Sequence, residues 1–73
     1  MVNLPQLKME FKKHGYSVAE MARVLGISNG TMSTRMKTGN FTVQEVNKLA
    51  RVLELSRLKM ADIFFENFNN SEM

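Results

Sequence analysis

Residues 17–39 read SVAEMARVLGISNGTMSTRMKTG, and this stretch is the most informative part of the chain. It predicts two short helices joined by a tight turn. Ser17 and Glu20 form a capping-box pattern at the start of the first helix. Gly26 supplies a residue that can take the left-handed conformation and end that helix. Ser28 is a suitable N-cap for a second helix, which we expect over residues 29–37.

The two helices differ in their apolar content. In the first, four apolar residues recur at the spacing of one buried face: Val18, Met21, Ala22 and Leu25. In the second, only Met32 and Met36 are apolar. So narrow an apolar stripe predicts that the second helix lies across the body of the domain with its polar side outward.

The flanking sequence predicts three further helices. The first spans residues 4–14, with Pro5 in its first turn and Gly15 after its end. Thr42 and Glu45 form a second capping box, which opens a helix expected to reach about residue 55. Ser56 caps a last helix. We therefore expect an all-α, five-helix domain over residues 1–66, followed by a frayed polar tail at residues 67–73.

Composition excludes several classes of site. The 73 residues suffice for one small domain, which buries only about 60% of its unfolded surface. There is no cysteine and only one histidine, His14, so neither a disulfide framework nor a metal site is expected. No Ser-His-Asp arrangement and no phosphate-cradling glycine loop is visible. We expect no cofactor, no small-molecule substrate and no enzymatic activity.

Charge is distributed unevenly along the chain. All ten Lys and Arg residues lie within residues 1–59, whereas residues 60–73 carry three acids and no Lys or Arg. A basic body suits a polyanionic partner, although it is also compatible with a merely soluble surface. No segment approaches the ~18 consecutive apolar residues of a membrane span. We expect a soluble, cytoplasmic protein with no membrane partner.

The central stretch has the features that a DNA-reading helix pair requires. Ala22 is small where the two helices must cross, and Ile27 can pin the turn to the core. Short polar side chains open the second helix, as is needed to enter a major groove ~12 Å wide. With the following FTVQEVNKLARVLELS and MADIFF, the stretch resembles the Cro and phage-repressor (XRE-type) helix-turn-helix family over residues 4–65. It is similar to small regulators from phages and prophages of Gram-positive bacteria.

The resemblance implies a lambda-repressor-like fold and assigns roles by position. Asn29 and Gly30 fall where the family usually reads base edges, and Ser33 and Thr34 lie one turn further on. Ser17 matches a position that bonds a backbone phosphate. Arg35 could contact either a base or a phosphate. The implied DNA-binding set is Ser17, Ser28, Asn29, Gly30, Thr31, Ser33, Thr34, Arg35, Lys37, Thr38 and Asn40.

Two functions follow from the resemblance. The first is a transcriptional regulator, a phage-type repressor, that binds a double-stranded DNA operator as a homodimer in the cytoplasm of a bacterium or an infected host cell. The second is a protein-protein interaction module of the antirepressor or antitoxin type on the same fold. Phe64, Phe65 and Phe68 bear on both, because some should complete the core and the others could form a dimer contact.

Overall fold

The computed structural model describes residues 2–65, which form five α helices and no β strand. They are α1 (Leu4–Lys13), α2 (Val18–Leu25), α3 (Asn29–Thr38), α4 (Val43–Val52) and α5 (Arg57–Phe64). The expected all-α, five-helix domain is confirmed. Glu66, Phe68 and the predicted tail at residues 67–73 lie outside the described residues.

Each helix begins at a polar N-cap whose side chain accepts a hydrogen bond from the first turn. The caps are Asn3, Ser17, Ser28, Thr42 and Ser56. Both predicted capping boxes are complete, at α2 and at α4. A cap of this kind stabilises a helix by about 1 kcal/mol, because it satisfies an otherwise unpaired backbone N–H.

Three helix ends differ from the predictions. The helix α4 ends at Val52 rather than at residue 55, because Glu54 takes a left-handed conformation, with φ of 52°, and the backbone N–H of Leu55 turns back to the Ala50 carbonyl. The helix α1 ends one residue early, with His14 as its C-cap. The helix α3 extends one residue further than predicted, because Gly39 rather than Thr38 adopts the left-handed conformation.

The core lies where the five helices meet. Its buried apolar residues are Leu7, Phe11, Met21, Ala22, Met32, Leu49, Leu53, Ile63 and Phe64. One prediction for α2 was wrong: Val18 is 36% exposed, because it is the first residue of the helix and borders an open surface groove. Met21 and Ala22 are buried as expected, and α2 packs against α1, α3 and α4.

The first and last helices close the domain together. The backbone N–H of Asn3 donates to the Ile63 carbonyl at 2.6 Å. Glu10, on α1, is 5% exposed and lies 3.3 Å from the Lys59 ammonium of α5. Phe64 is buried edge-on against Phe41, with ring centroids 6.4 Å apart. These contacts leave α2 and α3 together on the remaining side of the core.

Candidate nucleic-acid interface

A three-residue turn, residues 26–28, sets the start of α3 against α2. Gly26 has φ of 73°, a conformation that costs other residues about 1–2 kcal/mol. The backbone N–H of Ile27 then donates to the Ala22 carbonyl at 3.0 Å. Ser28 begins α3 by accepting a hydrogen bond from the Thr31 backbone N–H at 3.1 Å. This is the predicted helix-turn-helix arrangement, and its geometry depends on short-range bonds.

The inner side of α3 carries few apolar contacts. Met32 is fully buried, and Met36 is partly buried against the core. Every other residue from 29 to 38 is polar, charged or glycine. The predicted narrow stripe is therefore present, and it leaves the rotation of α3 about its axis to be fixed by other contacts.

An ion pair between α3 and α4 supplies such a contact. The Arg35 guanidinium donates from Nε to Glu45 Oε1 at 2.8 Å and from Nη2 to Glu45 Oε2 at 3.2 Å. Oε1 also accepts from the Thr42 backbone N–H at 2.9 Å, so one carboxylate serves both the capping box and the ion pair. The hydrogen bonds from Arg35 lower the pKa of the Glu45 carboxyl, although burial opposes them, and raise the pKa of Arg35.

This pair was not predicted from the sequence. The resemblance implied that Arg35 contacts either a base or a phosphate, whereas the structure turns the guanidinium towards α4, where the side chain is 24% exposed. Ten residues separate the partners, and no helical spacing connects them. The signal available in the sequence was the capping box, which placed Glu45 at the start of α4 but not beside Arg35.

The outer side of α3 is polar and accessible. Its exposed residues are Asn29, Gly30, Ser33, Thr34, Lys37 and Thr38. Within the part of the chain that the structure describes, the side chains of Asn29, Ser33 and Lys37 make no hydrogen bond or ion pair. Their donors and acceptors are therefore available to a partner.

The hydroxyl groups of the two exposed threonines on this face donate hydrogen bonds to backbone carbonyls of α3 itself. The Thr34 hydroxyl donates to the Gly30 carbonyl at 3.2 Å, and the Thr38 hydroxyl donates to the Thr34 carbonyl at 2.9 Å. Thr38 Oγ1 also accepts from the Asn40 backbone N–H at 3.2 Å, which fixes the turn after α3. In this arrangement Thr34 offers a partner its methyl group rather than a hydroxyl donor.

Gly30 leaves a gap on the same face. A Cβ added there would meet only the Ser28 hydroxyl, 3.9 Å away, and the residue has no positive φ. Neither packing nor backbone conformation requires glycine at this position. A helical glycine is less favourable than alanine by roughly 0.5–1 kcal/mol, so the fold gains nothing from it.

The serine caps occupy the starts of both helices. Ser17 Oγ accepts from the Glu20 backbone N–H at 3.0 Å, which leaves its own hydrogen available to donate. Glu20 in return accepts from the Ser17 backbone N–H at 2.8 Å, and this bond is the main reason that the pKa of the Glu20 carboxyl is lowered. Ser28 instead donates to Thr31 Oγ1 at 3.0 Å, so these two hydroxyls are linked to each other.

An apolar groove lies beyond the end of α3. Its volume is about 430 Å³, and it is lined by Val2, Gly39, Phe41, Val43, Val46, Asn47, Met60, Phe64 and Phe65. Val43 is 75% exposed and Phe65 is 50% exposed, whereas Phe64 is buried in the core. Of the three phenylalanines considered from the sequence, Phe64 therefore completes the core and Phe65 borders an accessible surface.

The described residues include neither a metal site nor a membrane span. Among residues 2–65 there is no cluster of histidine, cysteine, aspartate and glutamate that could hold a metal ion. Each helix described is too short or too polar to cross a bilayer.

Comparison with known proteins identifies a family. Residues 6–64 match the profile of a family described as Cro/C1-type HTH DNA-binding domain. The match covers all of α2, α3 and α4, including the turn at Gly26 and the Arg35–Glu45 pair. No curated protein and no solved structure matches the chain.

Proposed function

The chain belongs to the Cro/C1-type HTH DNA-binding domain family, and from this premise we propose that it is a sequence-specific transcriptional regulator. In this proposal it is a phage-type repressor that binds a two-fold operator in double-stranded DNA as a homodimer. The helix α3 enters the major groove, as recognition helices of this motif do.

One observation carries the proposal: the two sides of α3 are used differently. Met32 and the Arg35–Glu45 pair fix the inner side, whereas Asn29, Ser33 and Lys37 leave the outer side accessible and polar. A solvent-exposed helix without a partner has no need of so exact an anchor. A helix that must present base-reading groups at a set angle does need one.

The outer side suits a short-range reading of bases. The Asn29 amide can donate and accept at once, which matches the N6 and N7 edge of adenine. The gap at Gly30 and the methyl group of Thr34 suit the 5-methyl group of thymine, which is read by apolar contact. Lys37 can reach a guanine edge or a phosphate. We assign Arg35 the role of holding α3 in position rather than of reading a base.

Phosphate contacts would orient α3 over the bases. Ser17 has an unused hydroxyl hydrogen at the start of α2, and the Asn40 side chain is exposed in the turn after α3. Ser28 and Thr38 donate their hydroxyl hydrogens within the cap and the helix, so their contribution is to place the backbone near the phosphates. Thr31 Oγ1 accepts from Ser28 and keeps its own hydrogen for a phosphate.

The apolar groove beside Val43 is the proposed dimer surface. It adjoins Gly39, directly after α3, so a two-fold axis passing near it would set two copies of α3 in a fixed relation. Dimers of this motif read half-sites one helical turn of DNA apart, about 34–36 Å. Sedimentation of the chain with and without its operator would show whether the dimer forms before binding.

Selection from random duplexes, followed by sequencing, tests the DNA-binding proposal most directly. We expect an enriched half-site that recurs in inverted orientation. In mobility-shift assays, Asn29→Ala should weaken binding to the selected duplex by about tenfold or more while leaving binding to random duplex unchanged. Lys48→Ala, on the exposed side of α4, is the matched surface control. Equal affinity for all sequences would contradict a sequence-specific regulator.

The same apolar groove favours a second candidate, a protein-protein interaction module. Val43 on the groove is an apolar side chain that the fold leaves 75% exposed. If Val43→Ser abolished the biological activity while Asn29→Ala and Lys37→Ala left it intact, this candidate would replace the first. Arg35→Ala is a poor discriminator, because it also removes the contact between α3 and α4.

A further inference from the structure

A second surface adjoins the start of α2, on the side of α1. It is a groove of about 350 Å³ whose apolar lining residues include Met9, Phe11 and Val18. Lys8, Lys12 and Ser17 also line it. Neither lysine belongs to the DNA-binding set that the resemblance implies, and from the sequence both were expected to coat a solvated face of α1.

The two lysines of this groove have no acidic partner within residues 2–65. Lys8 and Lys12 lie one turn apart on α1 and are both exposed. Neither has a carboxylate within ion-pair distance among the described residues. Like charges at this spacing repel each other and weaken a helix slightly. An anion between or beside them would relieve that repulsion.

A neighbouring groove on α1, bordered by Glu10, Lys12 and Lys13, differs in the charges that line it. There the Glu10 carboxylate lies 3.3 Å from the Lys59 ammonium and 3.9 Å from that of Lys13. Lys12 borders this groove as well, but it makes no ion pair with Glu10. The cations on one side of α1 are thus partly neutralised within the fold, whereas those on the Ser17 side are not.

We infer that Lys8 and Lys12 bind the sugar-phosphate backbone of the duplex that α3 reads, as an extension of the Ser17 contact. The inference rests on the proposed function. It commits to DNA because the groove includes Ser17, the residue whose unused hydroxyl hydrogen borders the proposed interface. A backbone that runs past the start of α2 then meets two further cations on α1.

Contacts between lysine and phosphate make binding depend on salt concentration in a characteristic way. Each phosphate neutralised by a lysine releases counterions, and the logarithm of the binding constant then falls with the logarithm of salt concentration by about 0.9 per contact. Backbone contacts do not distinguish sequences. Loss of either lysine should therefore weaken selected and random duplexes by the same factor and flatten the salt dependence.

The experiment compares Lys8→Gln, Lys12→Gln and the double variant with Lys13→Gln. The probes are the selected duplex and a random duplex of equal length, titrated from 0.05 to 0.3 M salt. We expect each of the first two to weaken both duplexes about fivefold to tenfold at 0.1 M salt and to reduce the salt slope by about 1.8, because each substitution removes one contact from each subunit of the proposed dimer. Lys13→Gln, on the neutralised side, should leave the slope unchanged.

The outcomes separate this inference from the proposed function. If the wild-type chain binds the selected duplex while both glutamine variants keep its affinity and slope, the inference is overturned and the proposed function stands. If the wild-type chain binds no duplex, both fail together. Because Lys8 and Lys12 are exposed, circular dichroism should show unchanged helicity, so loss of binding would not reflect unfolding.

Discussion

The helices α3 and α4 have the same length, ten residues, and each begins at a hydroxyl N-cap, yet they are held in different ways. The helix α4 turns Leu49 into the core, supported by Val46 and Ala50 on the same face. The helix α3 is held by Met32 and by an ion pair. The helix α4 thus has a wider apolar face, which continues to its buried C-cap Leu53, whereas the few contacts of α3 leave its opposite face available.

Among substitutions that test this comparison, Met32→Ala should have the largest effect on the free energy of unfolding. Met32 is fully buried and carries most of the apolar anchoring of α3, so we expect a loss of about 2–5 kcal/mol in the free energy of unfolding. Denaturant unfolding measures it, with Leu49→Ala as the equivalent change in α4. If Met32→Ala destabilised the protein no more than Leu58→Ala, whose side chain is 79% exposed, α3 would not depend on this anchor.

The next largest test is Glu45→Gln. Glutamine can keep the capping box but cannot form the charged pair with Arg35, so we expect a loss of about 1–2 kcal/mol. Glu20→Gln is the matched control, since Glu20 occupies the same capping position in α2 without an ion pair to another helix. The expected change there is much smaller. Equal effects at the two positions would show that the pair adds nothing beyond the cap.

Acid should reveal the same contact in the wild-type chain. Arg35 holds the folded pKa of Glu45 below its usual value of 4.5. A lowered folded pKa contributes stability that is fully present above the usual value and is lost as the pH falls through the folded one. The stability difference between wild type and Glu45→Gln should therefore be constant near pH 7 and shrink below about pH 4.5. A difference that persisted to the lowest pH would refute the charged pair as its source.

The smallest expected effect is on Gly30. Because a Cβ fits there without a clash, Gly30→Ala should raise the free energy of unfolding by about 0.5 kcal/mol while weakening binding to the selected duplex. Gly26→Ala is the contrasting control, because its φ of 73° should make alanine destabilising by about 1 kcal/mol. Unchanged DNA affinity in Gly30→Ala would show that the gap has no part in reading bases.

Local features were predictable from the sequence, and they account for most of the fold. The capping boxes at Ser17 and Thr42 and the helix end at Gly26 each depend on residues within four positions of one another. The end of α4 was not predicted correctly, because its local signal is absent. Glu54 takes a left-handed conformation without the glycine that usually signals one.

The candidate site was less predictable, because part of it depends on tertiary contacts. The narrow apolar stripe predicted that the polar side of α3 faces outward, and the resemblance to the family assigned Asn29 and Ser33 to base reading. The pairing of Arg35 with Glu45 was not predictable, since a charged residue on a polar helix is equally compatible with solvent. Nor could spacing show that Lys8 and Lys12 share a groove with Ser17, which α1 and α2 create only when they pack.

The hydrogen bond from Asn3 to Ile63 has a consequence for synthesis of the chain. It joins the two ends of the described domain, so α1 lacks its closing partner until α5 has left the ribosome. Until then the apolar side chains of Leu7 and Phe11 lack the cover of α5. A chain that has not yet placed residues 57–64 therefore exposes part of its core, and exposed apolar surface of this kind makes a folding intermediate prone to aggregation.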